Sequence, residues 1–215
     1  MPTTLCSISV IAFKTPVSNA FPPCGPRFDP VVEGDEMFQN AGEKGVRHED
    51  PDDPPRRRAN KAPGQGTFDN DRPPIAGVIG RATGAAAIEV VPNADRASLL
   101  PFVEEHTRRD ATVYTDEAGA YGTLASTGRT HATVCHSKGE WARDDDGDGI
   151  REVHTNTMEG FWTGVRNFLR PFRGVSKWFL NQYVTFYAAL HNANNDPDAF
   201  FRLWLAPLSR GDRYP

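Results

Sequence analysis

Cysteine is scarce in this chain: three in 215 residues, Cys6, Cys24 and Cys135, with no CxxC pair among them. That excludes a zinc ribbon or a disulfide framework as the organiser of the fold, and it fits a reducing cytoplasm. No run reaches the roughly 18 apolar residues of a membrane span. The short apolar run at residues 5–13 lacks the basic stretch that precedes the apolar part of a signal peptide. An excess of positive charge is missing as well. With a net charge of −4 the chain as a whole is no basic glove for nucleic acid. Hydrophobic residues make up only 38%, against 19 glycines and 18 prolines, which predicts long irregular segments around a modest core. The length still allows one domain with a sizeable core.

What is there is organised around residues 153–174, VHTNTMEGFWTGVRNFLRPFRG. Wound as a helix, the stretch has two faces. Met158, Phe161, Trp162, Val165, Phe168 and Leu169 fall on one; Asn156, Glu159, Thr163, Arg166 and Arg170 fall on the other. The polar stripe, an amide, a carboxylate and two guanidiniums, suits a metal ion held beside a phosphate. It also reads as a capping box, with Asn156 as cap and Glu159 reaching back to it, and two arginines on a solvated face. Pro171 ends the helix.

Taken in order, residues 1–29 are proline-spaced and aperiodic, which predicts a disordered leader. Residues 30–38 predict a strand with Asp35 near its end, and residues 39–73 a long polar insertion. Residues 74–80 and 85–91 form a hairpin pattern around Ala82, Thr83 and Gly84. Asp95 caps a predicted helix over residues 96–105. Strands follow at 111–115, ending at Asp116, and at 130–136, with a small helix between them near residues 119–125. An acidic loop at 137–152 leads into the central helix. A second amphipathic helix spans 177–192, packing through Trp178, Phe179, Tyr183, Phe186 and Tyr187. Residues 198–205 suggest a last short helix in a tail at 196–215. The domain expected is therefore residues 30–195.

Strand, strand, strand, helix, strand, helix, strand, helix, with acids at the ends of the first and fourth strands, is an α/β plan. It predicts an RNase H-like mixed sheet flanked by helices. Asp35, Asp116 and Glu159 then converge, separated by 80 and 42 residues of chain. Such carboxylates from separate elements suit two Mg²⁺ ions about 3.5–4 Å apart, the arrangement that activates one oxygen and stabilises another in phosphodiester cleavage. Arg166, almost two turns beyond Glu159, can meet a phosphate bidentately.

The segments VEGDEMF, VYTDEAGAYG, HATVCHS and VHTNTMEGFWTGVRNFLRPFRGVSKWFL together resemble the bacterial insertion-sequence transposases of the IS-fifteen-ninety-five type, ISXO-like members of the DDE superfamily. The resemblance covers about residues 28–192, with the motifs in matching order. It implies an RNase H-like catalytic domain, Mg²⁺-dependent cutting at element ends with Mn²⁺ able to substitute, and attack of the freed 3′-OH on target DNA. By matching position it assigns Asp35 and Asp116 to metal binding. Asn156 and Glu159 both match the third motif; Glu159 is favoured because a carboxylate binds Mg²⁺ better than an amide. Arg166 stands where the family usually has Lys, and Gly34 and Met37 depart from residues typical of the first motif. The resemblance further implies double-stranded DNA as partner, both element ends and target, with homo-oligomers on DNA, no membrane, and a nucleoid-associated cytoplasmic place. Arg166, Arg170, Arg173 and Lys177 are the expected DNA contacts. The zinc ribbon and helix-turn-helix usual in the family are not recognisable here, so an N-terminally truncated member is expected. The alternative function is a non-catalytic DNA-binding remnant without that end-recognition module.

Two features read as decoys, and a second basic cluster stays open. Asp144–Asp148 begins like an EF-hand loop, but position 12 is Thr155 where a bidentate Glu is needed. His106, His131, His136 and His154 fit no zinc spacing, though His154 stands beside the helix start, near the expected site. Arg56, Arg57, Arg58 and Lys61 form a second basic cluster that suits phosphates or plain solvation.

Overall fold

The computed structural model describes residues 26, 29–45, 52 and 65–195. The expected leader lies outside these residues apart from 26 and 29. So do most of the polar insertion, the second basic cluster, and the tail with its short helix.

Among the described residues five strands form one sheet: β1 (Val31–Phe38), β2 (Pro74–Gly80), β3 (Ala86–Val90), β4 (Thr112–Asp116) and β5 (Thr130–Val134). Their order across the sheet is β3-β2-β1-β4-β5. The first three pair antiparallel, and β4 and β5 run parallel to β1. This is the RNase H-like mixed sheet that the sequence predicts. Its central strand carries Asp35, and the neighbouring parallel strand ends at Asp116. β2 is buried along its whole length, as an apolar run with helices on both faces requires.

Among the described residues three α-helices cover the sheet: α1 (Arg96–His106), α2 (Asn156–Leu169) and α3 (Lys177–Asn195). On one face α1 packs Leu99, Phe102 and Val103 against Val32, Val78 and Val113. Asp95 caps it as expected, accepting from the Ser98 amide at 2.9 Å. On the other face α2 buries Met158, Phe161, Trp162, Val165 and Leu169 against Met37, Ile75 and Ile79. Each such side chain contributes roughly 1.5–3 kcal/mol on burial. All the residues of the predicted apolar stripe of α2 are buried or packed on this core.

α3 corrects the sequence reading. Trp178, Phe179 and Phe186 are exposed, and the buried row is Leu180, Val184 and Ala188, with Tyr183 and Tyr187 packed at its margin. Small side chains let the helix lie close to edge strand β3, where rings would hold it off. The close approach puts Asn181 and Asn192 to use. Asn181 Oδ1 accepts from the Val90 amide, while Asn192 both accepts from and donates to Ala86, covering the exposed strand edge.

Candidate active site

Successive residues of a strand point to opposite sides of a sheet. In the second half of β1, Asp35 leans toward α2 and Glu36 toward the α1 side. Asp116, on the neighbouring strand, lies close to both: carboxyl oxygens of all three are within 4.8 Å of one another. Two aromatic side chains orient the pair on β1. Trp162 Nε1 donates to Asp35 Oδ2 at 2.8 Å, and the buried Tyr121 hydroxyl donates to Glu36 Oε2 at 2.9 Å. Asp116 is turned by its own loop, its Oδ1 accepting from the Ala118 amide at 3.0 Å.

Three carboxyls this close cannot all ionise freely. Burial, then the charges of Asp116 and Glu36, push the Asp35 carboxyl up to about 7, although the Trp162 bond opposes the rise. Glu36 is raised as well, by burial and by Asp116. A divalent cation among them would relieve this repulsion. Hard oxygen donors from two strands are the donor set that Mg²⁺ prefers.

Glu159 does not belong to this cluster. It is exposed, and its Oε1 stands 3.8 Å from His136 Nε2, just beyond the end of β5. Val134, two residues before that histidine, is the register partner of Asp116 on β4. Asn156 opens α2 and is exposed. The capping box is not formed: Thr155 occupies the cap position without a side-chain bond, and the Glu159 amide bonds the Thr155 carbonyl. The carboxylate at this helix start comes from β1. Glu33, fully buried, accepts from the Met158 amide at 2.9 Å and the Thr157 hydroxyl at 2.8 Å.

Of the expected DNA contacts, Arg166, Arg170 and Arg173 are exposed. Arg166 and Arg170 line a cleft of about 150 Å³ with Gln39, which follows β1 by one residue. The exposed arginines therefore begin beside the end of the strand that carries Asp35. Lys177 corrects the reading. It is buried, with its Nζ 3.2 Å from Asp71 and 3.6 Å from Glu43, over the rings of Phe68 and Trp178. That lysine ties Glu43 and Asp71, near the two ends of the polar insertion, to α3, and it is buried where the three arginines are exposed.

The decoys resolve locally. Asp144 accepts from the Gly147 and Gly149 amides, and Asp146 and Asp148 from amides two residues on, so the acidic loop caps its own turns. Asp144, Asp146 and Glu152 do come within 4.8 Å of one another there. His131 meets Thr115, His106 meets the Phe102 carbonyl, and His154 contacts Arg81 and Glu33. Sequence reasoning missed Glu33, Glu36, Tyr121 and the Trp162 N–H. All four lie inside the quoted motif segments, Glu33 and Glu36 in VEGDEMF, Tyr121 in VYTDEAGAYG and Trp162 in the segment that carries Glu159. Yet none of those segments tells which side chains meet.

Residues 30–189 match the family model of the ISXO2-like transposase domain. A protein of the transposable element ISH50 from Halobacterium salinarum is 32% identical over 160 residues, 74% of this chain and 51% of that relative. A transposase-like protein of Haemophilus influenzae is 30% identical over 95 residues, 44% of this chain and 71% of its own length. The chain thus spans about half the length of the first of these relatives. Among solved structures, the simian T-cell lymphotropic virus intasome in complex with PP2A regulatory subunit B56 gamma aligns with 91% of this chain and 52% of its own, at 9% identity and a TM-score of 0.39. The HTLV-2 integrase catalytic core domain in complex with magnesium aligns with 69% and 73%, at 10% identity and a TM-score of 0.35. Both are loose likenesses in shape. With the family match covering the sheet, α2 and the Asp35–Glu36–Asp116 cluster, this chain belongs to the ISXO2-like transposase domain family.

Proposed function

We propose that this chain is the catalytic domain of a DDE-type transposase, cutting DNA strands at the ends of an insertion element and joining them to a target. One observation carries the reading. Asp35, Glu36 and Asp116 form a partly buried cluster at the end of two parallel strands, with the Asp35 carboxyl raised to about 7. Without a cation such a cluster is unfavourable, and perturbed carboxyls of this kind gather at functional sites.

Asp35 and Asp116 would hold Mg²⁺, or Mn²⁺ in its place, with Glu36 completing the near set and Glu159 or Asn156 approaching from α2. The reading takes two such ions, held by these residues. Bound there, the metal supplies Lewis acidity at the phosphate and an activated oxygen nucleophile. The protein groups do the positioning. Trp162 holds Oδ2 of Asp35 and Tyr121 holds Oε2 of Glu36, which fixes the orientation of both carboxyls. Arg166, Arg170 and Arg173 line the approach of the duplex and would grip its phosphates on either side of the cut. The partners proposed are double-stranded DNA and further copies of the chain assembled on it. Among the described residues no helix is long and apolar enough to cross a membrane.

The test is strand cutting by the full chain on supercoiled plasmid in Mg²⁺, with EDTA as control. Nicks that end in a 3′-OH and vanish in EDTA support the reading. DNA binding without any metal-dependent nick would leave the non-catalytic DNA-binding role in its place.

A further inference from the structure

One layer below the carboxylate cluster lies a second buried charge network. Glu33 and Tyr114 are register partners on β1 and β4, and two residues further along those strands come Asp35 and Asp116. Arg81, from the turn after β2, ties this lower layer together. Its Nε donates to Glu33 Oε1 at 2.7 Å, and its guanidinium lies 4.4 Å from the centre of the Tyr114 ring. Its other nitrogens donate to the carbonyls of Glu152 and His154, the last stretch before α2. Glu33 in turn receives the Met158 amide and the Thr157 hydroxyl from the first turn of α2.

α2 therefore meets β1 on two rungs, Glu33 with Met158 and Asp35 with Trp162. Two residues along a strand advance about 6.7 Å, and four along a helix about 6 Å, so the rungs match in spacing. Gly77 makes the second rung possible: a β-carbon there would run into Met158 and Trp162. A buried ion pair is weak as a stabiliser, since well-packed apolar residues of similar size often do as well. This one has a geometric consequence that apolar packing would not reproduce.

We propose that Glu33 and Arg81 are positioning residues of the cutting centre. Together they set the register of α2 along β1, so that Trp162 meets Asp35 and the polar edge of α2 faces Asp116. The inference rests on the reading of the cluster as a metal-dependent centre, and its first readout is independent of that reading.

The variant is Glu33→Gln with Arg81→Met, which leaves no lone buried charge. The full chain is ¹⁵N-labelled at its four tryptophans, and the Trp162 indole signal is assigned by its loss in Trp162→Phe. Hydrogen exchange of that indole N–H reports the Asp35 rung, and a Mn²⁺ titration reports the cluster. In the folded double variant the Trp162 N–H should lose its protection. Mn²⁺ affinity should fall by about 10- to 100-fold, the usual effect of removing a partner that orients metal ligands. Thr157→Ala takes one donor from Glu33 without disturbing charge. It should shift both readouts less and in the same direction, and it decides the matter if the double variant does not fold. Parental protection in a folded variant overturns the proposal. A parent chain that neither binds Mn²⁺ nor cuts DNA overturns the functional reading instead, while the indole measurement still decides the register.

Discussion

Asp35 faces Gly77 across the β1–β2 ladder, and the missing side chain of Gly77 is what lets the Trp162 ring lie over β2 and reach the Asp35 carboxylate. Gly77→Ala should therefore act at the site as well as on the fold. Overpacking of this kind typically costs about 1–3 kcal/mol, readable as a lower urea midpoint. Trp162 should move away from Asp35 with it. A variant as stable as the parent would mean that the ring has room that the structure does not give it.

Trp162→Phe tests the bond itself. The indole N–H lowers the proton affinity of Asp35 against burial and like charges, so its loss should raise that carboxyl further. Bonds to charged groups are worth about 1.5–3 kcal/mol, so Mn²⁺ binding at neutral pH should weaken by about tenfold or more. Calorimetry with Mn²⁺ alone reads this, and an unchanged affinity would separate Trp162 from the cluster.

The raised Asp35 also fixes a pH dependence. An acid whose folded pKa exceeds its unfolded value of 3.8 holds its proton more tightly in the fold. Its contribution to stability is complete below that unfolded value and is lost as pH rises through about 7. From pH 5 to 8 the metal-free chain should lose several degrees more in Tm than Asp35→Asn does. Mg²⁺ should remove most of that difference. Equal slopes for parent and variant would contradict the burial of this charge.

Lys177 and the exposed arginines should separate cleanly. Lys177→Ala breaks a buried ion pair with Asp71 and Glu43, and such losses cost about 3–5 kcal/mol. DNA affinity measured where the variant stays folded should hold. Arg166→Ala, Arg170→Ala and Arg173→Ala should each leave stability alone and weaken DNA binding. Each should also reduce the log–log salt slope by about 0.9. A salt slope that responds to Lys177 and ignores the arginines would reverse this assignment.

The sequence makes legible what is periodic or local. The apolar stripe of α2 follows from its 3.6-residue spacing, the Asp95 cap from one residue, and the acids of β1 and β4 from strand patterns that carry Asp35 near the end and Asp116 at it. What it hides is set by contacts between distant segments. Glu33 meets the Met158 amide across 125 residues of chain, and no spacing rule foretells that a strand supplies the carboxylate at a helix start. Glu36 neighbours Asp35 on a strand, where successive side chains point apart, and only the convergence of both with Asp116 makes them one cluster. In α3 the aromatic residues look like the packing face, yet closeness to β3 selects Leu180, Val184 and Ala188. Lys177 reads as one more cation in a basic run until the ends of the polar insertion fold over it.

The most direct test of the central claim is plasmid nicking by Asp116→Asn at DNA occupancy matched to the parent. The substitution keeps the shape of the side chain, and its Oδ1 can still accept the Ala118 amide, but it removes one charge from the cluster. Mg²⁺-dependent nicking should drop to the EDTA background while DNA affinity stays unchanged. Nicking equal to the parent's would contradict the account and place the activity away from the Asp35–Glu36–Asp116 cluster.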